Sequence, residues 1–214
     1  MRRFTGQDGV TLAALAAAAA FWFLLFSPWA VRGLGFWSAM PIGVLVLVLG
    51  AFMMAGRGFA FRLHFRAQHI WLGLASAAAL YGLFAAGEAL ATRMFDFAGG
   101  EIADVYARRA GMSRLRIALL LFFVIGPGEE LFWRGFVQHR FAERWGTMGG
   151  WLAGALVYAA VHIWALNLML VLAAGLCALV WGALYARTRS LWPGIISHAV
   201  WDVAIFVLLP LGGG

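Results

Sequence analysis

Two adjacent carboxylates, Glu129 and Glu130, stand in a stretch that reads Ile125-Gly-Pro-Gly-Glu-Glu-Leu-Phe-Trp-Arg134 and is otherwise apolar. Arg134 follows Glu130 by four residues, so on a helix the two share a face and can pair. Glu129 points about 100° away and is not neutralised by the same geometry. Downstream, Tyr158-Ala-Ala-Val-His162 carries a histidine in an apolar run, and His198-Ala-Val-Trp-Asp202 puts a histidine and an aspartate on one helix face. Each such charge at lipid depth costs about 3 kcal/mol even on lenient scales, so intramembrane ionisable groups point to function.

Groups of this kind suit the activation of water. A carboxyl withdrawn from water gains proton affinity and can act as a general base. A neutral histidine beside it can help hold and deprotonate the water. A second histidine can donate to an oxyanion forming on a peptide carbonyl, where low dielectric strengthens the bond. Arg134 would keep Glu130 ionised and oriented, leaving Glu129 for the proton. Other schemes fit worse. There is no Gly-x-Ser-x-Gly elbow and no His-Glu-x-x-His pair. The one cysteine, Cys177, lies in an apolar run without an evident base and reads as packing. Gly126-Pro-Gly-Glu129 resembles the Gly-x-Gly-Asp of aspartyl intramembrane proteases only superficially, because Asp202 is the one aspartate well inside a span. Bland readings stand beside these: Glu130–Arg134 as an ion pair fixing helix packing, and each histidine as a helix–helix hydrogen bond. Glu88 reads as a snorkelling residue near a helix end, and His64, His69 and His139 as solvated interfacial residues.

These residues sit in an unusually apolar chain. Of 214 residues, 64% are hydrophobic and 12% charged, about half the charge of an ordinary soluble domain. Soluble, disordered and nucleic-acid-binding proteins are thereby excluded. The net charge of +7, carried by arginine alone, suits anionic lipid and topology rather than a polyanion partner. Seven runs approach the ~20 residues that span a bilayer as a helix: 10–31, 37–56, 70–91, 116–136, 147–165, 167–186 and 190–210. The predicted fold is an all-α polytopic membrane protein, one domain over 1–214 with its motif-bearing core at about 116–210. Amphipathic interfacial helices are expected in the 91–116 connection, where Ile102, Val105, Tyr106 and Arg109 recur at helical spacing, and at 57–69.

Arginine placement gives an orientation. With the N-terminus inside, the inner segments hold Arg2, Arg3, Arg57, Arg62, Arg66, Arg140, Arg144, Arg187 and Arg189, and the outer ones Arg32, Arg93, Arg108, Arg109, Arg114 and Arg116. The bias favours N-inside, C-outside insertion in the cytoplasmic membrane, with the first run retained as a signal anchor. Trp29, Trp37, Trp71, Trp145 and Trp192 lie near predicted helix ends as interfacial anchors. Gly126-Pro127-Gly128 is expected to loosen or kink the fourth helix, or to let it begin afresh with its positive end near the two acids. If the fourth and fifth spans turn back near Trp145-Gly146, Glu130 and His162 lie about 22 and 24 Å from the apex, level with each other. His198 and Asp202 reach the same level if that hairpin projects about 10 Å into water.

Glu129-Glu130-x-x-x-Arg134, aromatic-x-x-x-His at Tyr158 to His162, and His198-x-x-x-Asp202 together resemble the three ordered motifs of the CPBP group, the CAAX-prenyl endopeptidases and bacteriocin-processing glutamic intramembrane proteases. The resemblance covers about 125–205. It implies an intramembrane endopeptidase, opening toward the cytosol, that acts on a membrane-associated protein or peptide. By that resemblance Glu129 acts with His162 on the water, Glu130 is a supporting acid paired with Arg134, and His198 and Asp202 polarise the scissile carbonyl or complete the water site. Two positions depart from the family pattern: Tyr158 where Phe is common, and Asp202 where Asn is common. An ionised Asp202 would repel an oxyanion, so it must be protonated, orient His198, or bind metal. Glu129, His162, His198 and Asp202 could hold a zinc ion with an open position; the resemblance favours the metal-free route, with no cofactor. Two other classes remain: an inactive relative serving as an assembly or immunity partner, and a proton- or ion-coupled transporter. The bilayer is a partner in every case.

Overall fold

The computed structural model describes residues 6–30, 33–55, 59 and 62–212. It is all helical, with no strand among the described residues. This suits a chain whose backbone groups must be bonded within each segment at lipid depth. Helix α1 is Gly6–Phe26, α2 Phe36–Ala55, α3 Gln68–Met94 and α4 Ala98–Ala107. Helix α5 runs over 114–145 and α6 over 147–161, parted by Gly146 at φ 75°. A short 3-10 turn, His162–Ala165, follows. Helix α7 is Leu168–Thr188, and α8 runs over 192–208 with a wide last turn.

Four helices are long and apolar enough to cross a membrane on those grounds alone: α1, α2, α3 and α7. The other three expected spans are the ones that carry the polar motifs. Helix α5 carries Glu129, Glu130 and Arg134 and is interrupted by wider turns, while α6 and Trp192–Leu208 are short. Lipid-facing positions are strongly apolar: on α2, Val46, Leu49 and Met53 are more than 60% exposed. Inside, small residues let helices approach, as expected where no hydrophobic force draws them together. A side chain at Gly73 would strike Ile196, so α3 lies close along α8; one at Gly126 would come within 3.2 Å of the Ala199 backbone.

The fourth span does not restart at Gly126-Pro127-Gly128. Helical dihedrals run straight through, and the ladder widens instead to π spacing over Leu121–Ile125 and Glu130–Gln138. The Gly126 N–H reaches back to the Leu121 carbonyl. Wider turns accommodate the proline without a fresh N-terminus, so no positive helix end is aimed at the acids. The widening is typical of π-bulges at functional sites.

Helix α4 is amphipathic as expected, but its apolar face does not rest on lipid. Tyr106 is buried, and its hydroxyl donates to the Ile205 carbonyl (3.2 Å) and accepts from the Leu211 N–H (3.0 Å). At the other side Asn167 caps α7, accepting from the Leu170 N–H and donating to the Glu101 carbonyl, while the Glu101 carboxylate accepts from the Met169 N–H. Helix α4 thus bridges the ends of α7 and α8. Trp37 is likewise not an interfacial anchor: it is buried, and its indole N–H donates to the Arg108 carbonyl at 2.7 Å. Trp29, Trp71 and Trp145 are exposed. His69 is buried rather than solvated, its Nδ1 accepting from the Arg66 N–H. His139 is half-buried against the Tyr185 hydroxyl at 2.8 Å. Arg2, Arg3, Arg32 and Arg57 lie outside the described residues.

Candidate active site

The π-widened middle of α5 carries Glu129, Glu130 and Arg134, all buried. Glu130 and Arg134 pair at 3.0 Å, the i, i+4 contact their spacing dictates. The same Glu130 oxygen, Oε1, lies 3.0 Å from Nδ1 of His198 on α8. The other oxygen sits where a side chain at position 194 would be, 2.7 Å from an added Cβ. Gly194 therefore keeps the first turn of α8 open for this carboxylate. Nε2 of His198 faces Asp202 Oδ2 at 3.5 Å, so both imidazole nitrogens point at carboxylate oxygens and are set as donors. Arg134, Glu130, His198 and Asp202 form one continuous chain of polar contacts.

Glu129 faces the other way. Its Oε2 accepts from the Tyr158 hydroxyl at 2.6 Å. The Tyr158 main-chain carbonyl in turn accepts from His162 Nδ1 at 2.7 Å. Glu129 and His162 are joined through Tyr158 rather than directly. Arg134 lies over the Tyr158 ring, 4.7 Å from its centroid, and ties the two halves together.

A cavity of about 440 Å³ reaches this cluster. Glu129, Tyr158, His162, His198 and Asp202 line it, whereas Glu130 and Arg134 stand behind the wall. Most of the lining is apolar, from α3, α7 and the start of α2. The cavity runs toward the end of the bundle bridged by α4, where Ile102, Val105 and Tyr106 line it with Arg108. Glu88 lines that end too and is partly exposed. Cys177 is buried in the wall.

All six residues singled out by type and spacing therefore fall in one cluster. Three that complete it were not singled out as site residues. Tyr158 was read as a mild variant of a Phe position, yet its hydroxyl is the described hydrogen-bond partner of Glu129. Trp181 stacks on His198 with ring centroids 3.7 Å apart and planes 15° apart. Trp22 of α1 donates its indole N–H to His162 Nε2 at 3.2 Å. The extra hydroxyl of Tyr158 in an apolar span was an available signal; nothing in the sequence pairs Trp22 with a residue 140 positions away.

As arranged, the acids and histidines do not gather around a cation. Among the described residues no group of three or more His, Cys, Asp or Glu has metal-holding geometry. Both His162 nitrogens and both His198 nitrogens face protein partners. The set Glu129, His162, His198 and Asp202 would have to rearrange to bind zinc.

Helices threaded by apolar runs, with a buried polar cluster opening on an apolar cavity, describe a multi-pass membrane protein with a built polar site. Residues 111–204 match the family described as Rce1-like, type II CAAX prenyl endopeptidase. The segment that carries all six residues is thus similar to CAAX-type prenyl endopeptidases. No curated protein and no solved structure matches the chain.

Proposed function

We propose that this protein is a glutamic intramembrane endopeptidase in which Glu129 takes the proton of the attacking water. The observation that carries this is the division of labour between the two acids. Glu129 lines the cavity with one oxygen fixed by Tyr158, while Glu130 is turned away and committed to Arg134 and His198. A base must reach the substrate; a charge anchor need not. His198 lines the cavity with Nδ1 on Glu130 at 3.0 Å and Nε2 only 3.5 Å from Asp202, so a substrate carbonyl would take the Nε2–H over from Asp202 to be polarised and have its oxyanion stabilised. Asp202 acts here as the group that orients His198 rather than as an oxyanion donor.

The apolar cavity suits a membrane-associated protein or peptide whose apolar side chains or lipid enter the bilayer with it. Seven crossings, with the motif-bearing helices as three of them, would keep the whole chain one peptidase domain. The reaction needs no metal in this scheme. Cleavage of a membrane-inserted reporter should be abolished by Glu129→Gln while expression and detergent-extracted folding persist. Unchanged cleavage overturns the scheme. EDTA and 1,10-phenanthroline should leave the wild-type rate unchanged, and loss restored by added zinc would replace it with a metal mechanism.

A further inference from the structure

Trp181 of α7 lies flat on His198 of α8, with ring centroids 3.7 Å apart and planes within 15°. The indole is buried and belongs to the cavity wall. Its neighbours hold it in place. The indole N–H donates to Ser197 Oγ at 3.0 Å, and the Ser197 hydroxyl donates to Ser76 Oγ of α3 at 3.1 Å. Trp201 meets the ring edge-on at 5.8 Å. The Arg134 guanidinium stands 5.3 Å from its centroid. Arg134 and His198 are the two groups that share Glu130 Oε1, so one indole lies against both.

We infer that Trp181 is a positioning residue that fixes the plane of the His198 ring, so that the Nε2–H stays aimed at the scissile carbonyl when it leaves Asp202. The inference rests on the reading of His198 given above and deepens it. An imidazole N–H lies in the plane of its ring, so the plane sets where the donor points. Without substrate, two contacts hold that plane: Nδ1 on Glu130 at 3.0 Å and Nε2 facing Asp202 at 3.5 Å. When the carbonyl takes the Nε2–H, the second contact is given up. The bond at Nδ1 alone lets the far side of the ring tilt, because a hydrogen bond tolerates about 30° of bending. The indole face does not. A tilt in either sense drives one edge of the imidazole into indole atoms already at contact distance. Trp181 therefore keeps the donor aligned at the step where the oxyanion forms, where small misplacements cost most. The Ser197 bond serves the same end by fixing the angle of the indole.

Variants of the full chain in detergent test this by reporter cleavage below their unfolding midpoints. Trp181→Leu removes the flat face and should lower kcat about tenfold or more with KM unchanged. Trp181→Phe keeps a flat face but not the donor, and should recover most of that loss, staying about three- to fivefold below wild type. Ser197→Ala removes the acceptor of the indole N–H and should cost about as much as Trp181→Phe. Joined to Trp181→Phe it should add nothing, because that bond is already gone. A folded Trp181→Leu enzyme as fast as wild type, equal losses for Leu and Phe, or Ser197→Ala and Trp181→Phe losses that multiply would each overturn the inference. So would a change confined to KM, which places Trp181 on the substrate. A second readout needs no cleavage. The ring C–H proton signals of His198 should lie upfield in the wild type, shifted by the indole face, and should move back in Trp181→Leu. No upfield shift in the wild type overturns the inference even if Trp181→Leu does not fold. Cleavage that survives Glu129→Gln overturns the glutamate step separately and moves none of these outcomes.

Discussion

At the scale of single residues, the site depends on hydrogen bonds that cannot be replaced by water. Tyr158→Phe removes only the hydroxyl that fixes Glu129 Oε2. It should lower kcat by about three- to tenfold and leave KM alone, since the lost bond orients the base rather than the substrate. Steady-state cleavage of the reporter reads this directly, and a change in KM without kcat would place Tyr158 on the substrate instead. Arg134 is the opposite case. It is buried beside Glu130, and removing one member of a buried pair leaves an uncompensated charge. Arg134→Met should cost about 3–5 kcal/mol of stability in detergent unfolding. Adding Glu130→Gln should recover part of it, because the orphaned charge is then gone; no recovery would assign the loss to packing. The contacts among these residues were unevenly legible in the sequence. Glu130–Arg134 and His198–Asp202 follow from helical periodicity alone, because each pair lies four residues apart. Tyr158–Glu129, His198–Glu130 and Trp22–His162 are 29, 68 and 140 residues apart. Periodicity fixes which face a residue occupies, not which helix faces it, so those pairs needed the three-dimensional packing.

At the scale of elements, the helices can present these groups only because small residues let them close in. The Gly126-Pro127-Gly128 step was legible as a disturbance but not as its outcome. A proline in a helix removes a donor and crowds the turn before it, and the sequence does not say whether the chain answers with a kink or with wider turns. Here the ladder widens and the helix goes on, which keeps Glu129, Glu130 and Arg134 on one continuous element. Gly126 and Gly194 hold α8 against that element from two places. At Gly126 the neighbour is the Ala199 backbone, which has no flexible side chain to yield. At Gly194 the neighbour is the Glu130 carboxylate itself. Gly194→Ala should therefore shift Glu130 and weaken cleavage by tenfold or so, at a stability cost of only about 1 kcal/mol. Gly126→Ala should cost stability first, about 1–3 kcal/mol, by separating α8 from α5. Comparing unfolding midpoints with cleavage rates for the two variants separates the effects, and equal effects on both quantities would remove the distinction.

At the scale of the whole molecule, the direction of the cavity makes two sequence expectations collide. The arginine count, nine against six, favours an inner N-terminus. The family resemblance implies a site that opens to the cytosol. Yet the cavity runs from Glu129 toward the end bridged by α4, and an inner N-terminus puts that end outside. Neither expectation was unreasonable. Arginine counting sees only loops, and motif resemblance sees only the residues around the water. The tilt and closure of the cavity come from α4, which reads in sequence as an ordinary surface helix. Only its contacts with the ends of α7 and α8 turn it into a wall. The positive-inside rule is the stronger argument here, because it acts on the nascent chain before any cavity exists. Cys177 is the one cysteine and is buried, so a Cys177→Ala background permits single-cysteine labelling. Asp104→Cys on α4 should react with a membrane-impermeant maleimide added outside intact cells. Met148→Cys, exposed at the start of α6 just past Gly146, should react only after permeabilisation. The reverse pattern would put the N-terminus outside and the cavity's α4 end in the cytosol, and the substrate would then have to be sought among cytosol-facing membrane proteins.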